Sequence, residues 1–365
     1  MDIIEKFLQN YSSKNTIKSY RAFLKQYFRV IKHKPDAYFK PNHDYEEDVL
    51  KYWRYLNGRP PKTIATSIAC IRMFLSENDH ELPSKYWRGI RNRTKGTRAV
   101  TEDKIPTLQE IKQILSHADL RGRALFLTLL QSGMRIGELT EINISDIDFS
   151  FKPTKIRIRA ETTKTGNQRY CFIGKEAADS LKSWLDHRET FLNASLSRAR
   201  ALQRYYNRDQ NGRVEDDRVF PFSISTVRYI WNNLLENAKL SEKDKRTKVR
   251  KMHPHVLRKY YRTHMSLSVP LDVVEALMGH EGYLTEAYRR YTIEQLGEQY
   301  LKGEQDVSIF SSTSKDLQEL RQSDKEKDEK IKNLENIVDG LKLRVDMMEK
   351  IEKINEKIEK IKTTS

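Results

Sequence analysis

The chain has 365 residues, 38% of them hydrophobic and 32% charged, with a formal net charge of +16. No run approaches the roughly 18 apolar residues that a membrane-spanning helix needs. With only Cys70 and Cys171, a disulfide scaffold or a thiolate zinc site is excluded. Basic residues exceed acidic ones by nine in residues 1–104 and by seven in 105–310, while 311–365 is neutral and charge-dense. Two basic blocks point to a polyanion partner for the body and another role for the tail. A basic protein without a nucleic-acid role has the same composition. The opening MDIIEKFLQNYSSK is acidic early and has no long apolar stretch, so a cytoplasmic location is expected.

In chain order, residues 1–91 read as a helical domain. Thr16, Ile17, Tyr20, Phe23, Leu24, Tyr27 and Phe28 fall at helical spacing with lysines and arginines between them. Ile64, Ile68, Ile71, Phe74 and Leu75 repeat the pattern after Pro60 and Pro61. Such helices can clamp phosphates or simply carry a solvated basic face. Residues 92–104 lack apolar periodicity and read as a linker, lying along DNA or merely solvated.

A second domain is expected over 105–303. Thr107 and Glu110 form a capping-box pattern before a helix at Leu108–Ala118. An apolar helix at Ala124–Gln131 ends at Ser132-Gly133. Residues 155–174 alternate apolar and polar, break at Thr165-Gly166-Asn167 and resume, which predicts a β-hairpin. Helices follow at 176–203 and 224–239, a polar loop at 205–218, and a Lys-rich stretch at 241–251 before a last group of helices. The fold expected is therefore mainly α with a small β-hairpin. In the tail, Ile331, Leu334, Val338, Leu341, Val345 and Met348 form a heptad seam. It slips at Ile351 and continues through Ile354, Ile358 and Ile361. This predicts a coiled coil over 315–362, a lone helix or disorder being the other reading.

Four separated segments carry candidate chemistry. In Ser132-Gly133-Met134-Arg135-Ile136-Gly137-Glu138-Leu139 an arginine sits beside a glycine turn that can admit a phosphate. Alone, it is an arginine paired with Glu138. Lys164, at the hairpin turn, can donate a proton when desolvated, or is an ordinary charged turn residue. In His255-Val256-Leu257-Arg258 the i, i+3 spacing puts an imidazole and a guanidinium on one helix face, able to converge on an anion. A metal reading of His253 and His255 lacks a carboxylate or cysteine at ligand spacing. The fourth segment is Leu277-Met278-Gly279-His280, followed by Tyr283, Tyr288 and Tyr291.

Together these segments resemble the tyrosine recombinase (phage integrase) family. The resemblance covers about residues 1–303. It identifies the SGMRIGEL arginine, the hairpin lysine, the His-x-x-Arg box and the Gly-His box with its tyrosine, in the family's order. The N-terminal region, with its Thr16…Tyr20 pattern, is similar to the family's helical core-binding domain, and 105–303 to its catalytic domain. What the resemblance implies is cleavage and rejoining of double-stranded DNA through a covalent 3′-phosphotyrosine, without metal or cofactor. A homotetramer on the DNA is also implied. The implied catalytic residues are Arg135, Lys164, His255, Arg258, His280 and a tyrosine, with Glu138 orienting Arg135. In many members the nucleophile lies nine residues after the Gly-His histidine. Here that position is Arg289, so Tyr288 is the expected nucleophile and Tyr291 its alternative.

The expected function is a site-specific recombinase that integrates or excises a mobile element. The alternatives are a chromosome-dimer-resolving recombinase of the same family, a type IB topoisomerase, a non-catalytic DNA-binding protein and a coiled-coil scaffold with a basic head. The tail is expected to self-associate or to bind a protein partner.

Overall fold

A computed structural model describes residues 2–94, 96, 101–206, 216–245, 247–280 and 291–310, with the backbone alone over 196–206. The expected coiled coil at 315–362 lies outside the described residues, as do Tyr283 and Tyr288. The chain divides into two compact units. One is drawn from Met1–Glu102 and Asp244–Val249, the other from Asp103–Lys243 and Arg250–Ser365.

The first unit is helical: α1 Ile3–Leu8, α2 Lys14–Ile31, α3 Tyr45–Leu56, α4 Pro61–Ser76 and α5 Ser84–Arg93. Side-chain caps start three of these helices. Asp2, Ser13 and Asp44 accept from the backbone N–H groups of Ile4, Thr16 and Glu47, satisfying donors that a helix start leaves open. On α2, Leu24, Tyr27, Phe28 and Ile31 recur at one-turn spacing and are buried. They meet Tyr38, Tyr52, Ile71 and Phe74 in one apolar cluster. Inside it the hydroxyls of Tyr27 and Tyr38 hydrogen-bond at 2.5 Å. α5 runs two residues beyond the expected domain end at 91, while residues 95 and 97–100 of the expected linker lie outside the described residues.

The second unit opens with α6 Leu108–Ser116, closed by the capping box read from the sequence. Thr107 Oγ1 accepts from Glu110 N at 3.2 Å, and Glu110 Oε2 accepts from Thr107 N at 2.9 Å. The next helix, α7 Leu120–Ser132, is longer than the apolar run suggested, because Asp119 caps it a turn earlier. It is buried from Gly122 to Ser132, with the polar Arg123, Thr128, Gln131 and Ser132 buried among its apolar residues. Phe126 packs on Trp231 with ring centroids 5.0 Å apart. A short α8, Ile136–Leu139, follows.

The strands are β1 Ile147–Asp148, β2 Thr154–Ile158 and β3 Arg169–Ile173, an antiparallel sheet in the order β1-β2-β3. Ile156 lies opposite Cys171, and Ile158 opposite Arg169. β1 was not expected; two residues are too short to show alternation. The β2–β3 connection spans 159–168 and includes a 3-10 turn at Ala160–Thr162, so it is wider than the predicted break. Helices α9 Lys175–Tyr206, α10 Ile224–Asn237, α11 His255–Met265, α12 Leu271–Met278 and α13 Ile293–Val307 complete the unit. α9 continues past the start of the predicted loop at 205, and residues 207–215 of that loop lie outside the described residues.

α7 packs on α9 and α11, and α13 packs on α11 and β3. Two polar contacts fix the C-terminal end of α7. Tyr300, fully buried on α13, donates to the Gln131 carbonyl at 3.1 Å. Glu176 accepts from Gln131 Nε2 at 2.8 Å and from the N–H groups of Ile309 and Phe310 at 2.9 Å. Among the described residues, no helix is long and apolar enough to cross a membrane.

Candidate active site

The site is built around the end of α7. Gly133 ends that helix with φ +61°, a left-handed conformation that costs other residues steric strain. The chain also has no room for a side chain there, since a Cβ on Gly133 would overlap the ring of Tyr261 from α11. The turn therefore lies directly on α11 and delivers Arg135 to the start of α8.

Arg135 and Glu138 bind one another twice. The Arg135 N–H donates to Glu138 Oε2 at 2.8 Å, and Arg135 Nη1 donates to Oε1 at 2.9 Å. Arg135 Nη2 reaches the Gly279 carbonyl at 3.4 Å. Glu138 is 2% exposed. Burial pushes its carboxyl upward, but the hydrogen bonds and charges of Arg169 and Arg135 outweigh this and hold it below 4.5.

Pro254 leads into α11, which carries His255 and Arg258. Arg258 is 2% exposed. It donates from Nη1 to the Gly133 carbonyl, and from Nη2 to the Met278 carbonyl at 2.8 Å and to His280 Nε2 at 2.8 Å. None of these acceptors is a carboxylate. Burial and then the repulsion of Arg135 lower its pKa to about 10. A guanidinium has five N–H groups, so N–H donors remain for a ligand.

His280 follows Gly279, the left-handed residue that ends α12. Because Arg258 can only donate, His280 Nε2 is the acceptor and the ring proton sits on Nδ1, facing the Glu275 carboxylate. Glu275 is also paired with Arg262. His255 is at the solvent edge of the same helix face, stacked on His253 with ring centroids 6.2 Å apart. Desolvation, then the charges of Arg258, His253 and Lys259, lower its pKa below 6.5.

The structure thus gathers Arg135, Arg258 and His280 through the carbonyls of Gly133, Met278 and Gly279, with His255 one helical turn from Arg258. No hydrogen bond or ion pair joins Lys164 to them among the described residues. Lys164 is exposed in the 159–168 connection and makes no ion pair among the described residues. Tyr291 is 39% exposed, just ahead of α13.

Three residues that sequence reasoning passed over complete the surroundings. Arg169 donates from Nη1 and Nη2 to both oxygens of Glu138, at 3.1 and 2.6 Å. Glu275 fixes the His280 tautomer. Asp103 supplies a carboxylate 3.1 Å from His253 Nε2, an association that spacing along the chain could not reveal. A signal for Arg169 was present. Strand alternation places it on the same face as Cys171 and Ile173, which are buried, and a charge on such a face demands a partner.

Elsewhere among the described residues, His33, His43 and Asp48 bring potential metal-ligand atoms within 4.8 Å of one another. His43 Nε2 is already hydrogen-bonded to Asp48 Oδ2 at 2.7 Å, and the group belongs to the first unit.

In net terms, Arg135 and Arg169 share the carboxylate of Glu138, Arg262 and His280 share that of Glu275, and Arg258 is hydrogen-bonded to no carboxylate among the described residues. The remaining positive charge is held by fixed, largely buried donors, which is the electrostatic form of an anion site.

The chain is similar to tyrosine recombinase XerC of Lacticaseibacillus casei (strain BL23), at 27% identity over 186 residues. That alignment covers 50% of this chain and 55% of the relative, so the chain spans about half of its length. It is also similar to tyrosine recombinase XerC of Staphylococcus carnosus (strain TM300), at 24% identity over 304 residues, covering 80% and 92%. Among solved structures, a lambda integrase dimer bound to a COC′ core site shares the fold, with TM-score 0.53 and 14% identity over 80% of this chain and 79% of that one. A lambda integrase tetramer bound to a Holliday junction does so with TM-score 0.51 and 15% identity, covering 80% and 79%. The sequence profile of the phage integrase family matches residues 98–295. That span is more than half of the chain and holds both arginine segments and the Gly-His turn, so the chain belongs to the phage integrase family of tyrosine recombinases.

Proposed function

We propose that this protein is a site-specific recombinase that cuts and rejoins double-stranded DNA through a covalent 3′-phosphotyrosine. The observation that carries the reading is Arg258: a buried guanidinium with no carboxylate among its partners, beside a second guanidinium from a distant segment. Such a pair suits a single phosphodiester, whose two non-bridging oxygens each take one fork.

In this reading the tyrosine oxygen attacks phosphorus, the P–O5′ bond breaks, and the 5′ oxygen leaves with a proton. Arg135 and Arg258 neutralise charge developing on the phosphorane oxygens. His255, kept neutral at pH 7, takes the phenol proton. Lys164 supplies the proton to the 5′ oxygen, once DNA binding brings the 159–168 connection to the cut. His280, accepting at Nε2 from Arg258, orients that guanidinium toward the phosphate. Tyr288 is the nucleophile we assign, and Tyr291 is the alternative. The bond energy stays in the phosphotyrosine, so rejoining is the reverse attack by a 5′ hydroxyl.

The two basic blocks, at residues 1–104 and 105–310, would hold the duplex by phosphate neutralisation. We place the reaction in the cytoplasm, on a homotetramer assembled on DNA, and assign integration or excision of a mobile element on the strength of the neutral, heptad-patterned tail. The tail would add self-association or a protein partner. Sedimentation of the full chain against one ending at residue 310 tests self-association; the same number of subunits in both would remove it. The enzymatic reading is tested by incubating the protein with nicked genomic DNA fragments in EDTA. A covalent protein–DNA adduct from wild type, absent from Arg258→Gln, is expected. Bound DNA without adduct would favour a DNA-binding protein without catalysis.

A further inference from the structure

Among the described residues, the Arg135 guanidinium hydrogen-bonds the Glu138 carboxylate and the Gly279 carbonyl. Arg169 holds both. Its guanidinium forks onto the two oxygens of Glu138 at 3.1 and 2.6 Å. Its side chain also runs against Gly279: a Cβ added there would lie 2.7 Å from Cδ, 2.7 Å from Nε and 2.8 Å from Cζ of Arg169. Gly279 directly precedes His280. The Arg169 side chain is 12% exposed and stands at the first position of β3, opposite Ile158 in the sheet.

We propose that Arg169 is a positioning residue for strand cleavage, one that aims Arg135 and the Gly279–His280 turn at the same phosphate. The inference rests on the recombinase reading above. Its physical basis is rigidity. Glu138 receives four hydrogen bonds, two from the Arg169 guanidinium, one from the Arg135 guanidinium and one from the Arg135 backbone N–H, so its carboxylate has little freedom to swing. A planar fork held by two parallel bonds fixes orientation as well as distance, which a lysine ammonium cannot do. Without Arg169, Glu138 would be balanced by Arg135 alone. It would draw that guanidinium away from the ligand, and the turn bearing His280 would lose its support. A displacement of about 1 Å at a reacting centre can cost on the order of a hundredfold in rate.

The test compares wild type, Arg169→Gln, Arg169→Lys and Arg135→Gln on two DNA substrates. One carries an ordinary scissile phosphodiester and the other a methylphosphonate there, which lacks the charge that Arg135 would neutralise. Strand scission and DNA affinity are read separately. Arg169→Gln is expected to cleave the phosphodiester about a hundredfold more slowly with near-unchanged affinity. On the methylphosphonate its deficit should shrink to a few-fold, as that of Arg135→Gln should. Arg169→Lys is expected to fall between them on the phosphodiester. An equal deficit on both substrates, or wild-type cleavage by Arg169→Gln while Arg135→Gln is inactive, would overturn the inference and leave the recombinase reading intact. No scission by wild type on bound DNA would instead defeat the recombinase reading. If Arg169→Gln does not fold, Arg169→Lys decides. Failure of both to fold would make Arg169 a fold residue and overturn the inference.

Discussion

Arg258 donates to the carbonyl oxygen of Gly133, two residues before Arg135. The guanidinium of α11 is thereby tied to the turn that presents the guanidinium of α8. Replacing Arg258 with lysine keeps the charge but loses the fork and its contacts to Gly133, Met278 and His280. Cleavage by Arg258→Lys is expected to fall by about a hundredfold or more, with the unfolding midpoint shifted far less. A rate within twofold of wild type would contradict this role.

Gly133 combines a left-handed backbone with the Tyr261 ring pressed on its Cα. Gly133→Ala therefore meets two costs, the left-handed strain of about 1–2 kcal/mol and displacement of a fully buried ring. A loss of about 3 kcal/mol in chemical unfolding is expected, with lower activity as Arg135 shifts. An unchanged midpoint would show that the turn relaxes at no cost.

Glu138→Ala would leave Arg135 and Arg169 facing one another across a buried space. Removing one partner of such a group costs on the order of 3–5 kcal/mol, measurable by urea unfolding at pH 7. The sign of the pH dependence follows from the lowered Glu138 pKa. The carboxylate contributes its stability at pH values above its unfolded pKa, near 4.5, and loses it as pH falls through the lower folded value. The stability gap between wild type and Glu138→Gln should therefore narrow when both are unfolded below pH 4.5.

The His255 pKa lies below 6.5 in the folded protein, through desolvation and then Arg258. The folded state thus resists protonation, and any stability tied to the neutral ring declines as pH falls below 6.5. If His255 accepts the phenol proton, cleavage should stay level from neutral pH to about 6.5 and decline on an acid limb below it. His255→Gln should be slow throughout and lack that limb. A limb unchanged in His255→Gln would assign the proton elsewhere.

The sequence was informative where physics is local. Periodicity located α2, α4 and α7, and Thr107 with Glu110 marked the start of α6. Strand alternation around Ile156 and Cys171 gave the hairpin. It was less informative where contacts join distant segments. Arg169 and Glu138 are 31 residues apart, and His253 meets Asp103 across 150 residues. Neither spacing has a period. Asp119 extends α7 through a cap lying outside the apolar run. The sequence marks Gly133 as part of a glycine turn and Gly279 only as the neighbour of His280. The structure adds the neighbours, Tyr261 and Arg169, that leave no room for a side chain.

The most direct measurement is covalent trapping on a nicked DNA suicide substrate in EDTA, with wild type, Tyr288→Phe and Tyr291→Phe run side by side. The account predicts a protein–DNA adduct from wild type and Tyr291→Phe and none from Tyr288→Phe. Loss in Tyr291→Phe alone would transfer the nucleophile to that residue. No adduct from wild type, on DNA shown to be bound, would contradict the claim that this arginine-lined site forms a phosphotyrosine bond.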